Sequence, residues 1–473
     1  MQRILSLGTP MRNYRLWFAA IVFSCASAQA DSTSMNTDVV TKKAPSVSEK
    51  VLKNGLKVLV KEDHRAPIAV VQVWYRIGTS YEHEGITGLS HALEHMMFKG
   101  TESRKSGEFE VILSRIGAEN NAFTSQDYTA YYEVLAAEHV ETALELEGDR
   151  MRGLVLDKAE FEKEIEVVKE ERRMRTDDNP NSVMREQFNA VAYLNNPYRA
   201  PVIGWMEDLD NMNLDDLKDW YAKWYAPNNA TLVVAGDVEP EKIFALAEKY
   251  FGHHESMKLP EVKPRTEIPQ IGPREIVIKA PAKVERLMMG FKTPGMISAK
   301  QGKVEKWEPY ALDMLASILD GGSSARFSKN LVRGQEIAAG ASAGYMGYGR
   351  MPQLFMISGV PATGVKIEDL RKALMAEIET MKTSLVTQEE LDRVKAQVLA
   401  SEIYQRDSVE HMATTIGALE STGLGWQLMD EYEKNILAVT AEQVQQVAKK
   451  YLNEDQMTFA RLDPQSLEAG GNK

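Results

Sequence analysis

The feature that most constrains this chain is a helix-then-strand pair that closes each half of it. Residues 214–225 carry the apolar spacing of a helix, and Ala230-Thr231-Leu232-Val233-Val234-Ala235 then reads as a strand. Residues 441–451 and Met457-Thr458-Phe459-Ala460-Arg461-Leu462-Asp463 repeat that order near the end. A second pair recurs as well. The β-rich run 68–77 precedes a helix starting near Gly88, and the run 287–291 precedes a helix near Tyr310. Such self-similarity predicts an α+β fold of two related halves, each a mostly antiparallel sheet with helices packed on it, facing each other like a clamshell. A chain of 473 residues gives each half an ordinary domain size.

Punctuation sets the boundaries. Pro260, Pro264, Pro269, Pro273 and Pro281 crowd one stretch, so residues 259–274 are expected to link a first half, 49–258, to a second, 275–465. Inside the first half, Asn54-Gly55 between two apolar runs predicts a hairpin turn. Residues 31–48 are rich in Ser, Thr and Lys and read as a flexible lead-in, and 466–473 as a tail.

The first thirty residues read as a secretory signal rather than as fold. Arg12 and Arg15 precede the apolar run 16–23, and Ala28-Gln29-Ala30 supplies small residues ahead of Asp31. That run is too short for a stable membrane span in the mature chain. Cys25 is the only cysteine, which removes disulfides, thiolate ligands and cysteine nucleophiles from the body of the protein and suits an exported, periplasmic chain. A formal net charge of −12 argues against nucleic-acid binding, which needs basic stripes.

His91-Ala92-Leu93-Glu94-His95 carries the chemistry. On a helix, positions four apart share a face, so both imidazoles can reach one ion. Glu94, beside His95, can take a proton from a water on that ion without being a ligand. This is the inverted H-x-x-E-H spacing. Catalytic zinc needs a third protein ligand, and the charged helical stretch 158–174 offers Glu162, Glu164, Glu166, Glu170 and Glu171. Spacing alone does not choose among them. The other histidines lack ligand spacing apart from the adjacent His253 and His254, which follow a helix end beside Gly252 and read as solvated or dipole-favoured cations.

The H-x-x-E-H run, the following Met96-Met97-Phe98-Lys99-Gly100 and Val167-Val168-Lys169-Glu170-Glu171 resemble the insulinase/pitrilysin family of zinc metallopeptidases. The likeness is strongest to bacterial relatives of the mitochondrial processing peptidase β subunit. It implies a zinc ion held by His91, His95 and the glutamate 76 residues after His95, which is Glu171, with Glu94 as catalytic base. It further implies a supporting acid seven residues earlier, Glu164. Asn121-Ala122-Phe123-Thr124-Ser125 resembles the family's edge strand, whose backbone would pair with an extended peptide substrate.

One departure stands out. The resemblance leads one to expect an arginine and a tyrosine in the second half that bind substrate and stabilise the transition state. Arg333 fits the arginine, but the tyrosine position falls at Ala339 or Gly340. A related partner subunit or a homodimer would then supply the missing group. The two functional expectations are a zinc endopeptidase acting on peptides or short unfolded proteins and, as the alternative, a non-catalytic or partner-dependent subunit of a two-chain peptidase. The intact set of His91, Glu94, His95 and Glu171 favours the first.

Overall fold

A computed structural model describes residues 47–466. The signal, most of the lead-in and nearly all of the tail expected from the sequence lie outside the described residues.

Two sheets organise the chain. The first contains β1 (Ser48–Val51), β2 (Lys57–Glu62), β3 (Ile68–Tyr75), β4 (Glu119–Thr124), β5 (Thr129–Ala136) and β6 (Ala230–Gly236), in the order β1-β2-β6-β3-β5-β4. The second contains β7 (Arg274–Pro281), β8 (Arg286–Thr293), β9 (Ala338–Tyr345), β10 (Gln353–Pro361) and β11 (Met457–Gln465), in the order β7-β11-β8-β10-β9. Leaving β1 aside, the two orders are the same. In each, one parallel pair (β2 with β6, β7 with β11) joins an otherwise antiparallel sheet. Each ends in a hairpin whose outer strand, β4 or β9, is an edge. The repeat read from the two closing helix–strand pairs is therefore an architectural one: the helix Leu214–Trp224 leads to β6 as Ala441–Tyr451 leads to β11.

Side-chain alternation explains why β3 and β6 are so largely apolar. In β3, Val71, Val73 and Tyr75 face one core, while Val70 and Trp74 face another. β6 does the same with Leu232 and Val234 against Val233 and Ala235. Both faces of the sheet are thus buried, which is why these runs lack the polar residues of a half-solvated strand.

The cover of the second face comes from the opposite half. The helix Val409–Ser421 lays Ala413 and Ile416 onto Val70, Trp74 and Val233 of the first sheet. In return the helix Pro180–Ala192 lays Met184 and Phe188 onto Ile278, Met288 and Leu462 of the second. The approach is tight: a Cβ on Gly417 would sit 2.0 Å from the Trp74 ring. One polar pair fixes the register, with Gln72 accepting from Trp74 Nε1 at 2.9 Å and donating to Thr414 at 3.1 Å. Each half therefore completes its core only with a helix lent by the other. Truncating Phe188 would leave a cavity costing about 3–5 kcal/mol.

Candidate metal centre

The helix Leu89–Met96 turns Leu89, Ala92, Leu93 and Met96 into the core, leaving His91, Glu94 and His95 on the other flank. Its start is unusual. Gly88, with φ of 86°, gives no side-chain cap. The buried carboxylate of Glu82 caps it from outside, accepting from Gly88 N at 2.8 Å and Ser90 N at 2.7 Å. Negative charge is favourable there because the first amides and the helix dipole point at it. Burial pushes Glu82 up to about 7, opposed by those hydrogen bonds.

The third group arrives on the helix Lys158–Arg172, which Asp157 caps by accepting from Ala159 N and Glu160 N. Phe161, Ile165 and Val168 bury one stripe of it, and Glu164 and Glu171 flank that stripe on the side of the histidines. Arg172 anchors its end through Glu186 on the lent helix, at 2.8 Å. Glu162, Glu166 and Glu170 point elsewhere and pair with Lys158, Lys169 and Arg173.

Of the five acids that spacing left open, Glu171 is the one whose carboxylate lies beside both imidazoles. His95 Nε2 lies 3.2 Å and His91 Nε2 3.8 Å from Glu171 Oε2. One donor atom from each of the three falls within 4.8 Å of the others, and among the described residues this is the one group of its kind. Donors placed about 2.0–2.2 Å from a tetrahedral ion stand roughly 3.4 Å apart, so these residues fit zinc. His95 Nδ1 meets Glu164 Oε1 at 2.9 Å, so Nδ1 donates to that carboxylate and Nε2 is the nitrogen turned to Glu171. Lys99 Nζ holds the other oxygen of Glu164 at 2.5 Å. Arg175 pairs with the second oxygen of Glu171.

Electrostatics separate the roles. Burial lowers His91 to about 3, so its imidazole is neutral. Burial raises Glu94 to about 7, against the hydrogen bond it accepts from Thr124. A carboxylate near neutrality can both accept and return a proton at working pH.

Asn121, Ala122 and Phe123 lie on β4, which pairs with β5 and has no strand on its outer side among the described residues. Asn121 is exposed, while Phe123 packs edge-on against Trp74 with centroids 5.2 Å apart. Arg333 is not part of this cluster: it is exposed on the π-helix Phe327–Gly334 and donates to Ser323 O at 2.5 Å. Ala339 and Gly340 sit in the edge strand β9 and bring no hydroxyl.

Four contributors escaped the sequence reading. Arg175, four residues beyond Glu171, was legible as a helical acid–base pair. Glu82, Lys99 and Thr124 act across turns whose geometry no local pattern announces.

The sequence profile of insulinase (peptidase family M16) matches residues 57–204, and that of the peptidase M16 inactive domain matches 211–398. A zinc protease of Helicobacter pylori, PqqE, is 33% identical over 422 residues, covering 87% of this chain and 92% of that protein. This chain belongs to the insulinase family, peptidase family M16. An uncharacterised zinc protease of Bacillus subtilis, YmxG, is 27% identical over 85% of the M16 chain described here and 95% of its own length. Among solved structures, a protease from Helicobacter pylori superposes with a TM-score of 0.83 at 31% identity, over 89% of this M16 chain and all of that one (100%). An M16 inactive domain from Pseudomonas fluorescens, at 19% identity and a TM-score of 0.78, shares the fold. In this family member the zinc-type donors fall in the stretch matched by the insulinase profile, and the inactive-domain profile covers most of the second sheet.

Proposed function

We propose that this chain is a zinc-dependent endopeptidase that cleaves extended peptides or short unfolded proteins. The observation that carries it is the convergence of His91, His95 and Glu171, with Glu94 one residue from a ligand and a free strand edge beside them. His91, His95 and Glu171 would hold a zinc ion, which would supply Lewis acidity to a water and to a peptide carbonyl.

The chain's own residues do the rest. A peptide adds to the outer edge of β4 through backbone hydrogen bonds at Asn121, Ala122 and Phe123, so recognition depends little on its side chains. Glu94 takes one proton from the attacking water. The water oxygen forms a bond to the carbonyl carbon, the C–N bond breaks, and Glu94 returns the proton to the leaving amine nitrogen. Glu164 and Lys99 hold His95 in the tautomer that presents Nε2.

Glu94→Gln is the direct test. It removes the base but keeps the shape, so zinc content should stay at the wild-type level while peptide cleavage is lost. Equal rates for both proteins would remove Glu94 from the mechanism.

The absence of a hydroxyl at Ala339 and Gly340, with Arg333 turned to Ser323, favours a second element of this reading. A partner chain or second copy completes oxyanion stabilisation, a contribution of about 3–4 kcal/mol for one donor. Full activity of a monomer at every concentration would contradict it. Export fits the leader read from the sequence and the lack of cysteine beyond Cys25.

A further inference from the structure

The proposed substrate strand and the proposed base are joined by one hydroxyl. Thr124 is the last residue of β4, and its Oγ1 donates to Oε2 of Glu94. Among the described residues this is the partner of the Glu94 carboxylate. Thr129 Oγ1, 3.4 Å from Thr124 Oγ1, gives its own proton to Ile77 O at 3.0 Å. With the Thr129 proton engaged there, Thr124 directs its own hydroxyl hydrogen at the carboxylate.

Thr124 is itself held in place from three directions. Ser125 N bonds Tyr128 O at 2.8 Å, closing the turn after β4. Thr79 N and Ser80 N donate to Ser125 O and Gln126 O at 3.2 and 2.8 Å. That contact requires glycine before it, because a Cβ on Gly78 would lie 2.4 Å from Ser125 O. Finally, the buried carboxylate of Asp127 accepts from Ser80 Oγ at 2.9 Å, from Tyr198, and from Arg350 N of the second half at 2.8 Å. Arg350 also stacks on Tyr81, 4.4 Å from the ring centroid. A hydroxyl on so fixed a turn can set the rotamer of a flexible glutamate, whose three side-chain torsions otherwise leave its oxygens free to swing.

We infer that Thr124 is a positioning residue for proton transfer: it anchors Glu94 Oε2, so that Oε1 is the oxygen that accepts the proton from water and returns it to the amine. Thr124 keeps its own proton throughout, so the balance of the reaction is unchanged. The consequence is geometric. One six-residue strand fixes both the register of the bound peptide and the reach of the base. The inference rests on the peptidase reading above and deepens it.

The experiment uses the zinc-loaded full chain and a fluorogenic peptide, with wild type, Glu94→Gln, Thr124→Val and Thr124→Ser. Valine keeps the branched shape without the hydroxyl, and serine restores the hydroxyl. Expected is a kcat for Thr124→Val lower by about 10–100-fold, a part of the roughly 100- to 10,000-fold that a positioned base supplies. KM, zinc affinity by chelator competition and Tm should stay near wild type, and Thr124→Ser should recover most of kcat. If Thr124→Val does not fold, Thr124→Ala is read in the same way. Unchanged kcat in the valine variant, or a raised KM with kcat intact, overturns the inference while leaving the peptidase reading standing. Undiminished cleavage by Glu94→Gln overturns both.

Discussion

The two halves share a sheet order but not their polar side chains, and the contrast lies in what the helices Leu89–Met96 and Glu308–Asp320 do with polar atoms. In the first half, His91, Glu94 and His95 leave a ligand nitrogen from each imidazole facing a carboxylate, 3.2 and 3.8 Å away, an arrangement with room for a cation. In the second, the helix Glu308–Asp320 follows β8 as the His91 helix follows β3, and its pattern sets Tyr310, Asp313 and Met314 against His91, Glu94 and His95. There the polar groups are satisfied by neighbours. Asp313 Oδ2 accepts from Tyr432 at 2.6 Å, Tyr310 accepts from Asn435 at 3.0 Å, and Met314 is fully buried. The same scaffold thus supports an open ligand set or a closed hydrogen-bonded core. The difference teaches that the fold supplies rigidity and the residue types supply function.

The comparison can be broken most sharply at the base. Glu94→Gln should lower kcat by about 100- to 10,000-fold with zinc retained, whereas Asp313→Asn should leave cleavage intact. The next largest effect concerns the ligand set. Glu171→Gln should weaken zinc by more than the roughly 100-fold that a supporting residue costs, and Glu170→Gln should not, as read by competition with a chromogenic chelator. Loss of binding in both would dissolve the assignment. Glu164→Gln sharpens the picture one step further out: freed of its carboxylate partner, His95 should hold zinc about 10–100-fold less tightly.

The smallest expected effect belongs to the second half. Tyr432→Phe removes a hydrogen bond to a half-buried carboxylate and should cost about 1–3 kcal/mol in urea unfolding, without changing zinc affinity. A sign follows for pH. Burial raises Asp313 above its ordinary value, with the Tyr432 hydrogen bond pulling it down. The stability tied to that proton is present below about pH 4 and lost as pH climbs through the raised value. Removing Tyr432's hydroxyl should steepen that loss, and a pH-independent difference would contradict it.

Much of this contrast was legible in the sequence. Period and turn signals gave the hairpin at Asn54-Gly55, the helix Leu214–Trp224 and strand β6 nearly to the residue, because each is decided within its own short segment. The H-x-x-E-H run was legible for the same reason. Spacing could not choose among five acids on the Lys158–Arg172 helix, since that choice depends on which flank the neighbouring helix approaches. The exchange of Pro180–Ala192 and Val409–Ser421 between halves was not legible at all. Their apolar stripes show that they are covered, but their partners lie far along the chain. Thr124 stood within a recognised motif, yet its role depends on a side chain 30 residues earlier.

Crystals of the zinc-loaded protein, measured on either side of the zinc absorption edge, test the central claim most directly. The account predicts one anomalous peak per chain, within bonding distance of a nitrogen of His91, a nitrogen of His95 and a carboxylate oxygen of Glu171. A peak bound elsewhere, or none at these residues in fully loaded protein, would contradict it.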